Sequence, residues 1–266
     1  MGETTTAQHY LTVKVRLKAF LQACYDPATN RMHTTLNEEA CLPAKQPYSV
    51  RPWFYNGAEV LNTNDPELVD WVLVELYAGG YLYGQVAGLL RANGNFVDVE
   101  GNELVSINVA NAVPNTAVSD VSPLPPDCYY LVVRHRNHLA IRTKYPLNFA
   151  NGRGEAIVNL SFDPGNCFSN QDYPATVQVG STWCMRAGDV NSDGQVKVNG
   201  PNNDQNALQN DPALNSFLSS AGEEHYMSQD INMDGAVKQQ GPNDDRDYLF
   251  NEALDGSLSQ VYKVQL

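Results

Sequence analysis

The sequence predicts a mainly β protein: an antiparallel Ig-like β-sandwich over residues 1–184, followed by a small α-rich module over residues 185–256. Three observations support this. Short apolar segments recur about every ten residues up to residue 180, with Gly, Asn and Pro between them, a spacing typical of sandwiches. Residues 181–266 are acidic, with 13 acidic and 5 basic residues. This acidic region also contains an internal repeat.

The strand predictions rest on residue alternation. In Tyr10–Phe20, apolar residues alternate with polar ones at a period of two, as on a half-buried strand. Asp70–Leu76 is apolar on both faces, as expected for a central strand between two layers. The remaining predicted strands are Tyr83–Arg91, Phe96–Val99, Leu104–Val109, Tyr129–Arg136, Leu139–Thr143, Glu155–Phe162 and Thr176–Val179.

Five cysteines suggest disulfides. Cys24 and Cys41 are 17 residues apart, as are Cys167 and Cys184, and neither pair has the spacing of a zinc knuckle. Two local disulfides are therefore predicted, the first closing a long irregular loop over residues 23–48. Disulfides imply an oxidising, extracellular compartment. Cys128 is left over, either as a buried free thiol or as an intermolecular bridge.

The charge and hydropathy of the chain exclude some partners. A net charge of −13 disfavours nucleic acid and anionic membrane surfaces, because phosphates would be repelled. No apolar run approaches the roughly 18 residues of a membrane helix, so no membrane insertion is expected. We expect no signal peptide in the polar start of this sequence.

The acidic region is a duplication. The segment Asp189–Asp204 aligns with Asp230–Asp245, 41 residues later. When the alignment is extended to Asn210 and Asn251, 12 of 22 positions are identical. This level of identity indicates a repeated unit.

Each repeat carries oxygen side chains at alternate positions, followed by a glycine (Gly194 or Gly235) where the loop must bend. Calcium takes six to eight oxygen ligands, and this spacing is that of the first half of an EF-hand loop. About two calcium ions per chain are predicted. The proposed ligands are Asp189, Asn191, Asp193, Gln195 and Asp204 in the first loop, and Asp230, Asn232, Asp234, Ala236 and Asp245 in the second, with Gln195 and Ala236 acting through their backbone carbonyls.

The second half of each loop departs from an EF-hand. Glycine, not glutamate, occupies the twelfth position, and the next acids are Asp204 and Asp245. Asn203 and Asp244 stand beside them as alternative ligands. Helix-like stretches follow over residues 206–218 and 247–254, so that each acid would also face a helix N-terminus.

The pattern D-x-N-x-D-G-x-V, with Leu208 and Leu249 further along, resembles the duplicated calcium loops of dockerin modules. With its inserted Gly-Pro-Asn, it is more similar to dockerin-like repeats of secreted surface proteins from Bacteroidetes-type bacteria. The upstream segments DWVLVELY (Asp70–Tyr77) and YYLVVRHRNHLAI (Tyr129–Ile141) resemble the domain that precedes those loops. The resemblance implies a calcium-binding protein of the cell surface or extracellular space.

Catalysis is not expected. The sequence contains none of the HExxH, GxSxG, phosphate-loop or dinucleotide motifs. The run Arg134–His138 is interpreted as a strand end and turn with hydrogen-bonded histidines. Six aromatic residues could form a sugar platform or simply pack in the core, namely Trp53, Phe54, Tyr55, Tyr77, Tyr81 and Tyr83.

A C-terminal strand is predicted over residues 257–266, and it could complete its own sheet or a neighbour's. The leading functional prediction is therefore a non-enzymatic secreted calcium-binding subunit of an extracellular filament or adhesive surface layer, assembled through strand edges. The alternative is an adhesin module that binds a glycan or a surface protein, as in cohesin–dockerin pairing.

Overall fold

A computed structural model describes residues 11–109, 128–150, 153–162, 166–168, 174–210 and 226–264. These residues form a mainly β protein with antiparallel sheets, as the strand spacing predicted. The strands are β1 (Leu11–Lys18), β2 (Tyr25–Asp26), β3 (Arg31–Met32), β4 (Leu68–Ala78), β5 (Tyr81–Arg91), β6 (Phe96–Val97), β7 (Val105–Val109), β8 (Cys128–Arg134), β9 (Ile141–Arg142), β10 (Leu147–Asn148), β11 (Glu155–Asn159), β12 (Thr176–Val179), β13 (Thr182–Met185), β14 (Gln195–Val196) and β15 (Tyr262–Lys263).

The larger sheet has the strand order β10-β8-β4-β5-β6, and β9 also pairs with β8. Its central strand β4 is buried from Leu68 to Leu76, which confirms the prediction for Asp70–Leu76. The burial of both faces follows from alternation. Val72 and Val74 contribute to one apolar cluster, whereas Trp71 and Leu73 contribute to another.

The smaller sheet has the order β11-β1-β7. β1 pairs antiparallel with β7 but parallel with β11, so this sheet is mixed. Its inward residues, including Val13, Val15 and Ile107, belong to the same apolar cluster as Val72 and Val74 of β4. The two sheets therefore share one core.

The long excursion after β1 contains a 3-10 turn (Gln22–Cys24) and helix α1 (Thr35–Glu38), whose buried Cys24 and Leu36 join the core that the two sheets share. Its later part covers the other face of the larger sheet, in one cluster with Trp71 and Leu73. Further along, Tyr48 is completely buried, and its hydroxyl donates a hydrogen bond of 2.7 Å to the backbone oxygen of Trp71. Packing, not a disulfide, holds this segment against β4.

The disulfide prediction is wrong for this structure. All five cysteines lie in the described ranges, and all are free thiols. Burial, Asp70 and Cys184 raise the pKa of the Cys24 thiol, so Cys24 lies near Cys184, which sequence spacing did not suggest. Cys41 packs against the second repeat, its sulfur 3.4 Å from where a Cβ on Gly235 would lie. Cys128 begins β8 and is partly exposed.

The repeat segment is built onto the two sheets. Helix α2 (Asp204–Asn210) follows the first loop. Helix α3 (Asp245–Tyr248) follows the second and continues into a π-helical segment, Leu249–Ala253. Side chains from both repeats, among them Leu208 and Ile231, join the core cluster that the two sheets share. One continuous apolar core therefore connects the repeats to the sheets.

Of the C-terminal strand predicted over residues 257–266, the described residues form only the two-residue strand β15, which pairs within its own chain. β15 pairs antiparallel with β14, and Val196 lies opposite Tyr262. The end of the chain thus completes a two-stranded sheet on the first repeat loop. The predicted strand continues into residues 265–266, which lie outside the described ranges, as do residues 1–10 and the part of the predicted first helix over 211–218.

Among the described residues, none of the helices has the length and apolar character needed to cross a membrane.

Candidate metal centre

The two repeat loops have the same backbone. Left-handed φ angles recur at equivalent places, near 56° at Ser192 and 58° at Met233, and near 78° at Gly194 and 83° at Gly235. The glycines permit this conformation at little cost, which explains why both repeats have glycine there. The duplication inferred from the sequence is therefore also a duplication of structure.

In the first loop, backbone N–H groups fix the acidic side chains. The amide of Gly194 donates to Asp189 Oδ2 (3.1 Å), and the amide of Gln195 donates to Asp193 Oδ1 (2.9 Å). The amide of Asp193 donates to Asn191 Oδ1 (2.9 Å). These short-range bonds hold the alternate oxygen side chains of the D-x-N-x-D-G pattern in place.

The second loop repeats these bonds with nearly the same lengths. The amide of Gly235 donates to Asp230 Oδ2 (3.1 Å), and that of Ala236 donates to Asp234 Oδ1 (2.9 Å). The amide of Asp234 donates to Asn232 Oδ1 (3.0 Å). Asp230, Asn232 and Asp234 thus accept the same backbone hydrogen bonds as their counterparts in loop 1.

The late acids of the two loops accept hydrogen bonds from the backbone of their own loops. Asp204 is fully buried, and its two oxygens accept from the amides of Val190 and Lys197, both at 2.9 Å. Asp245 accepts in the same way from Ile231 and Lys238. These acids face the loops.

The residues beside these acids accept hydrogen bonds at the starts of helices α2 and α3. Asn203 Oδ1 accepts from the amide of Asn206, and Asp244 Oδ1 accepts from the amide of Asp247, both at 2.8 Å. Asp244 is the N-cap of α3. Asn203 and Asp244 therefore accept hydrogen bonds from the first turns of the helices, and Asp204 and Asp245 accept hydrogen bonds from the loops. The sequence analysis predicted both roles for Asp204 and Asp245.

The loop carboxylates are buried beside one another. Burial and the neighbouring Asp193 raise the pKa of Asp189 to about 7. Burial and Asp189 raise the pKa of Asp204 to about 8. In the second loop, burial raises the pKa of Asp230 to about 6, against the opposing effect of Arg136, and the pKa of Asp245 to about 7. Each loop therefore gathers carboxyl groups whose negative charge, once they ionise, is poorly screened by solvent.

The two loops differ in what neutralises this charge. Arg136 Nη2 lies 3.7 Å from Asp230 Oδ2 in loop 2. Asp189, the equivalent residue of loop 1, has a buried Oδ1 atom with no hydrogen-bond partner among the described residues. Lysines lie near the second acid of each loop, Lys197 at 3.6 Å from Asp193 and Lys238 at 2.7 Å from Asp234.

The run Arg134–His138, interpreted from the sequence as a strand end and turn, connects both loops to the sheets. The backbone oxygen of Asn137 accepts from the amides of Gly188 (2.9 Å) and Asp189 (3.1 Å) in loop 1. Its side-chain amide donates to the backbone oxygen of Asp230 (2.7 Å) in loop 2. We call this residue the Asn137 clamp. The sequence analysis did not predict this role of Asn137. The sequence signals it only by a dense run of polar residues after an apolar strand.

A buried polar network lies behind the clamp. His135 Nε2 is 2.9 Å from Asp70 Oδ2, and Arg136 Nε donates to the same oxygen at 3.1 Å. Burial alone would raise the pKa of Asp70, but Arg136, His135 and Tyr226 hold it below its usual range. Asp70 thus compensates a buried arginine, which in turn contacts the second loop.

A cavity of about 380 Å³ lies between loop 1 and the larger sheet. Its walls are formed by residues of β4, β5 and β8 and by Pro52 and Trp53. Loop 1 contributes Asp189, Ser192, Asp193 and Gly194. A second cavity of about 410 Å³ borders loop 2 and is lined mostly by acidic and amide side chains, including Asp234, Asp244 and Asp247.

Across the described ranges, the structure contains no group of three or more His, Cys, Asp or Glu side chains arranged to hold a metal ion. The loops would add asparagine and backbone oxygens to their aspartates, which are the hard donors that calcium uses. Comparisons of the chain with protein-family models, curated proteins and solved structures found no match.

Proposed function

We propose that this chain is a secreted calcium-binding protein, with one calcium ion in each repeat loop. The observation that carries the proposal is the pair of loops with the same oxygen side chains, the same left-handed positions and the same amide bonds. The buried carboxylates repel one another when ionised, and a divalent cation would remove that repulsion. The Oδ1 atom of Asp189, which no other described residue hydrogen-bonds, supports the fit in loop 1.

The residues fit calcium better than magnesium. Each loop offers several carboxylate and amide oxygens together with backbone carbonyls, and magnesium instead favours few carboxylates and retained waters. Asp204 and Asp245 would supply the late carboxylate that an EF-hand takes from its twelfth residue. In this reading the repeats form a dockerin-like module on an Ig-like sandwich.

Metal analysis tests the ligand assignment. After dialysis in calcium, the parent chain is expected to hold about two ions, and Asp193→Ala or Asp234→Ala about one. Asp245→Asn should also remove one ion, whereas Asp244→Asn should remove none, because asparagine still caps α3. Unchanged stoichiometry in all of the ligand variants would refute the assignment.

We propose further that the protein is a non-enzymatic subunit of an extracellular filament or adhesive layer. Because β15 pairs within its own chain, assembly would use another strand edge, and β11 is suitable. It lies at one edge of the smaller sheet as described, Ile157 on it is 80% exposed, and Phe162 just beyond it is 81% exposed. Exposed apolar edge strands favour pairing with a second copy.

Light-scattering mass after size exclusion tests the assembly. In millimolar calcium the parent chain is expected to form large species that dissociate in chelator. Ile157→Lys should give monomers, and Leu258→Lys, at another exposed apolar position, should not. A monomeric parent in both buffers would refute the filament proposal and leave the calcium proposal standing. The alternative, an adhesin for a glycan or a surface protein, gains support from the cavity beside loop 1.

A further inference from the structure

We infer that the cavity between loop 1 and the larger sheet is a calcium-dependent binding site for one neutral saccharide unit. The inference rests on the proposed calcium site, since loop 1 forms one wall. The cavity volume of about 380 Å³ falls within the range of small-molecule sites, about 300–1,000 Å³. The walls combine apolar surface with fixed polar groups, which matches the C–H faces and hydroxyls of a sugar ring.

The polar wall is held rigidly. The carboxylate of Glu75 is almost fully buried and accepts three hydrogen bonds, from Gln85 Nε2 (2.8 Å), Arg134 Nε (2.6 Å) and Tyr77 OH (3.1 Å). These bonds leave one carboxylate lone pair, the Gln85 carbonyl oxygen and further N–H groups of Arg134 for other partners. Sugar hydroxyls both donate and accept, so this mixed set suits them.

The apolar wall includes an aromatic ring. Trp53 is half-buried and lies edge-on to the buried Tyr48, with ring centroids 5.0 Å apart. Tyr48 is anchored to the backbone of β4, so the position of the indole is fixed from behind. The sequence analysis had named Trp53 and Tyr77 among the residues of a sugar platform, and the structure brings both to this cavity.

The charge in the cavity favours a neutral ligand over an anion. Arg134 is paired with Glu75, and Asp189 and Asp193 contribute negative charge to the loop wall. The two histidines that line the cavity add no positive charge near neutral pH, since burial lowers the pKa of both. A phosphate or carboxylate ligand would therefore meet no unpaired cation in these walls.

Loop 1 supplies the calcium dependence. Asp189 lines the cavity, and its buried Oδ1 atom has no hydrogen-bond partner in the described part of the chain. Calcium held by Asp189 and Asp193 would fix this wall, and loss of the ion would let the repelling carboxylates move apart. The cavity beside loop 2 is lined mostly by acidic and amide side chains and by no residue of the larger sheet, so it supports no equivalent inference.

Saturation-transfer NMR on the full chain tests the inference, with glucose, galactose, mannose, N-acetylglucosamine and xylose as probes at 20 mM. In calcium, at least one sugar is expected to bind. Gln85→Ala and Trp53→Ala should each weaken that binding at least tenfold, and chelator should do the same. Tyr145→Ala is the matched aromatic control, because Tyr145 is 68% exposed and lies outside the cavity lining.

Thermal unfolding and metal analysis on the same samples keep the outcomes distinct. Gln85 is a half-buried surface side chain, so its variant should remain folded even if Trp53→Ala does not. A parent chain that holds two calcium ions but binds none of the five sugars would overturn the saccharide site and leave the calcium proposal intact. Sugar binding that is unchanged in Gln85→Ala would also overturn the saccharide site. A parent chain that holds no calcium and still binds a sugar through Gln85 would support the cavity as the sugar site. It would overturn both the calcium dependence of that site and the calcium proposal.

Discussion

At the level of single residues, the chain positions buried polar groups by chains of hydrogen bonds. The backbone amide of Ala23 donates to His138 Nε2 at 3.3 Å. His138 Nδ1 lies 3.0 Å from His135 Nδ1, and His135 Nε2 lies 2.9 Å from Asp70. This arrangement satisfies both imidazoles in their neutral forms. A second proton on His138 would have to enter a buried site beside Arg136.

We therefore expect acid to destabilise the fold through His138. Burial lowers its folded-state pKa well below the unfolded value of about 6.5. The unfolded chain then binds more protons below about pH 6.5, so stability is complete above this pH and falls below it. Between pH 6.5 and 5.5 the loss from one such histidine is about 1 kcal/mol.

Urea unfolding at pH 6.5 and 5.5, both in saturating calcium, checks this expectation. His138→Gln retains an acceptor for Ala23 but cannot titrate, so it should lose about 1 kcal/mol less than the parent over that interval. The difference between variant and parent isolates the histidine from the carboxylates, which both proteins share. An equal acid loss in both proteins would show that His138 is not the titrating group.

The role of a residue could be predicted from the sequence where its bonding partners lie close to it along the chain. The alternate oxygens of the loops were predictable, because bonds between residues two to five apart determine their positions. The role of Asn137 was not, because its partner Asp230 lies 93 residues away. The disulfide pairing failed for the same reason. Equal spacing along the chain says nothing about distance in space, and Cys24 lies near Cys184.

At the scale of elements, most strands could be predicted from alternation, and their pairing could not. The sequence placed a central strand at Asp70–Leu76, and the structure extends it to Leu68–Ala78. The parallel partnership of β1 with β11 brings together segments separated by more than a hundred residues, which no local pattern encodes. Likewise, β15 was predicted as a strand, but its partner β14 lies inside the first loop.

The pairing of β15 with β14 makes the chain terminus part of loop 1. Tyr262 is buried opposite Val196, its ring lies 3.5 Å from the guanidinium carbon of Arg186, and its hydroxyl contacts Asp255. We expect Tyr262→Ala to cost about 2–4 kcal/mol of unfolding free energy, as for other large-to-small changes in a core. Loop 1 should also lose calcium affinity, and loop 2 should not.

Denaturant unfolding and calorimetric calcium titration measure these two effects. Leu258→Ala is the control, because that side chain is 58% exposed and its loss should change stability by less than about 0.5 kcal/mol. If Tyr262→Ala weakened both calcium sites equally, β15 would be supporting the whole repeat segment instead of loop 1 alone.

At the scale of the whole molecule, the repeats and the sheets are connected in three ways. They share an apolar core that includes Leu208 and Leu249. Arg136 contacts both Asp70 on β4 and Asp230 in loop 2. The Asn137 clamp bonds to both loops. A composition change near residue 185 therefore marks a change of local structure within a continuous core.

These connections predict that sheets and repeats unfold together when calcium is bound. Tryptophan fluorescence reports on the sheet region, since all three tryptophans precede residue 185. Hydrogen exchange of the Leu249–Ala253 amides reports on the repeat segment. In the parent chain both probes should report the same free energy of opening, as in a single cooperative unit.

Asn137→Ala should separate the two probes. It removes a buried side-chain bond to Asp230 and a contact with His138, which together stabilise the junction by about 1–3 kcal/mol. The repeat amides should then exchange through an opening of lower free energy, while β4 stays protected. Asn102→Ala, which alters only an exposed turn around Asp98, should leave both probes coincident. If the repeat amides of the parent already opened independently of the tryptophans, the shared core would not be a cooperative one, and calcium would stabilise the repeat segment alone.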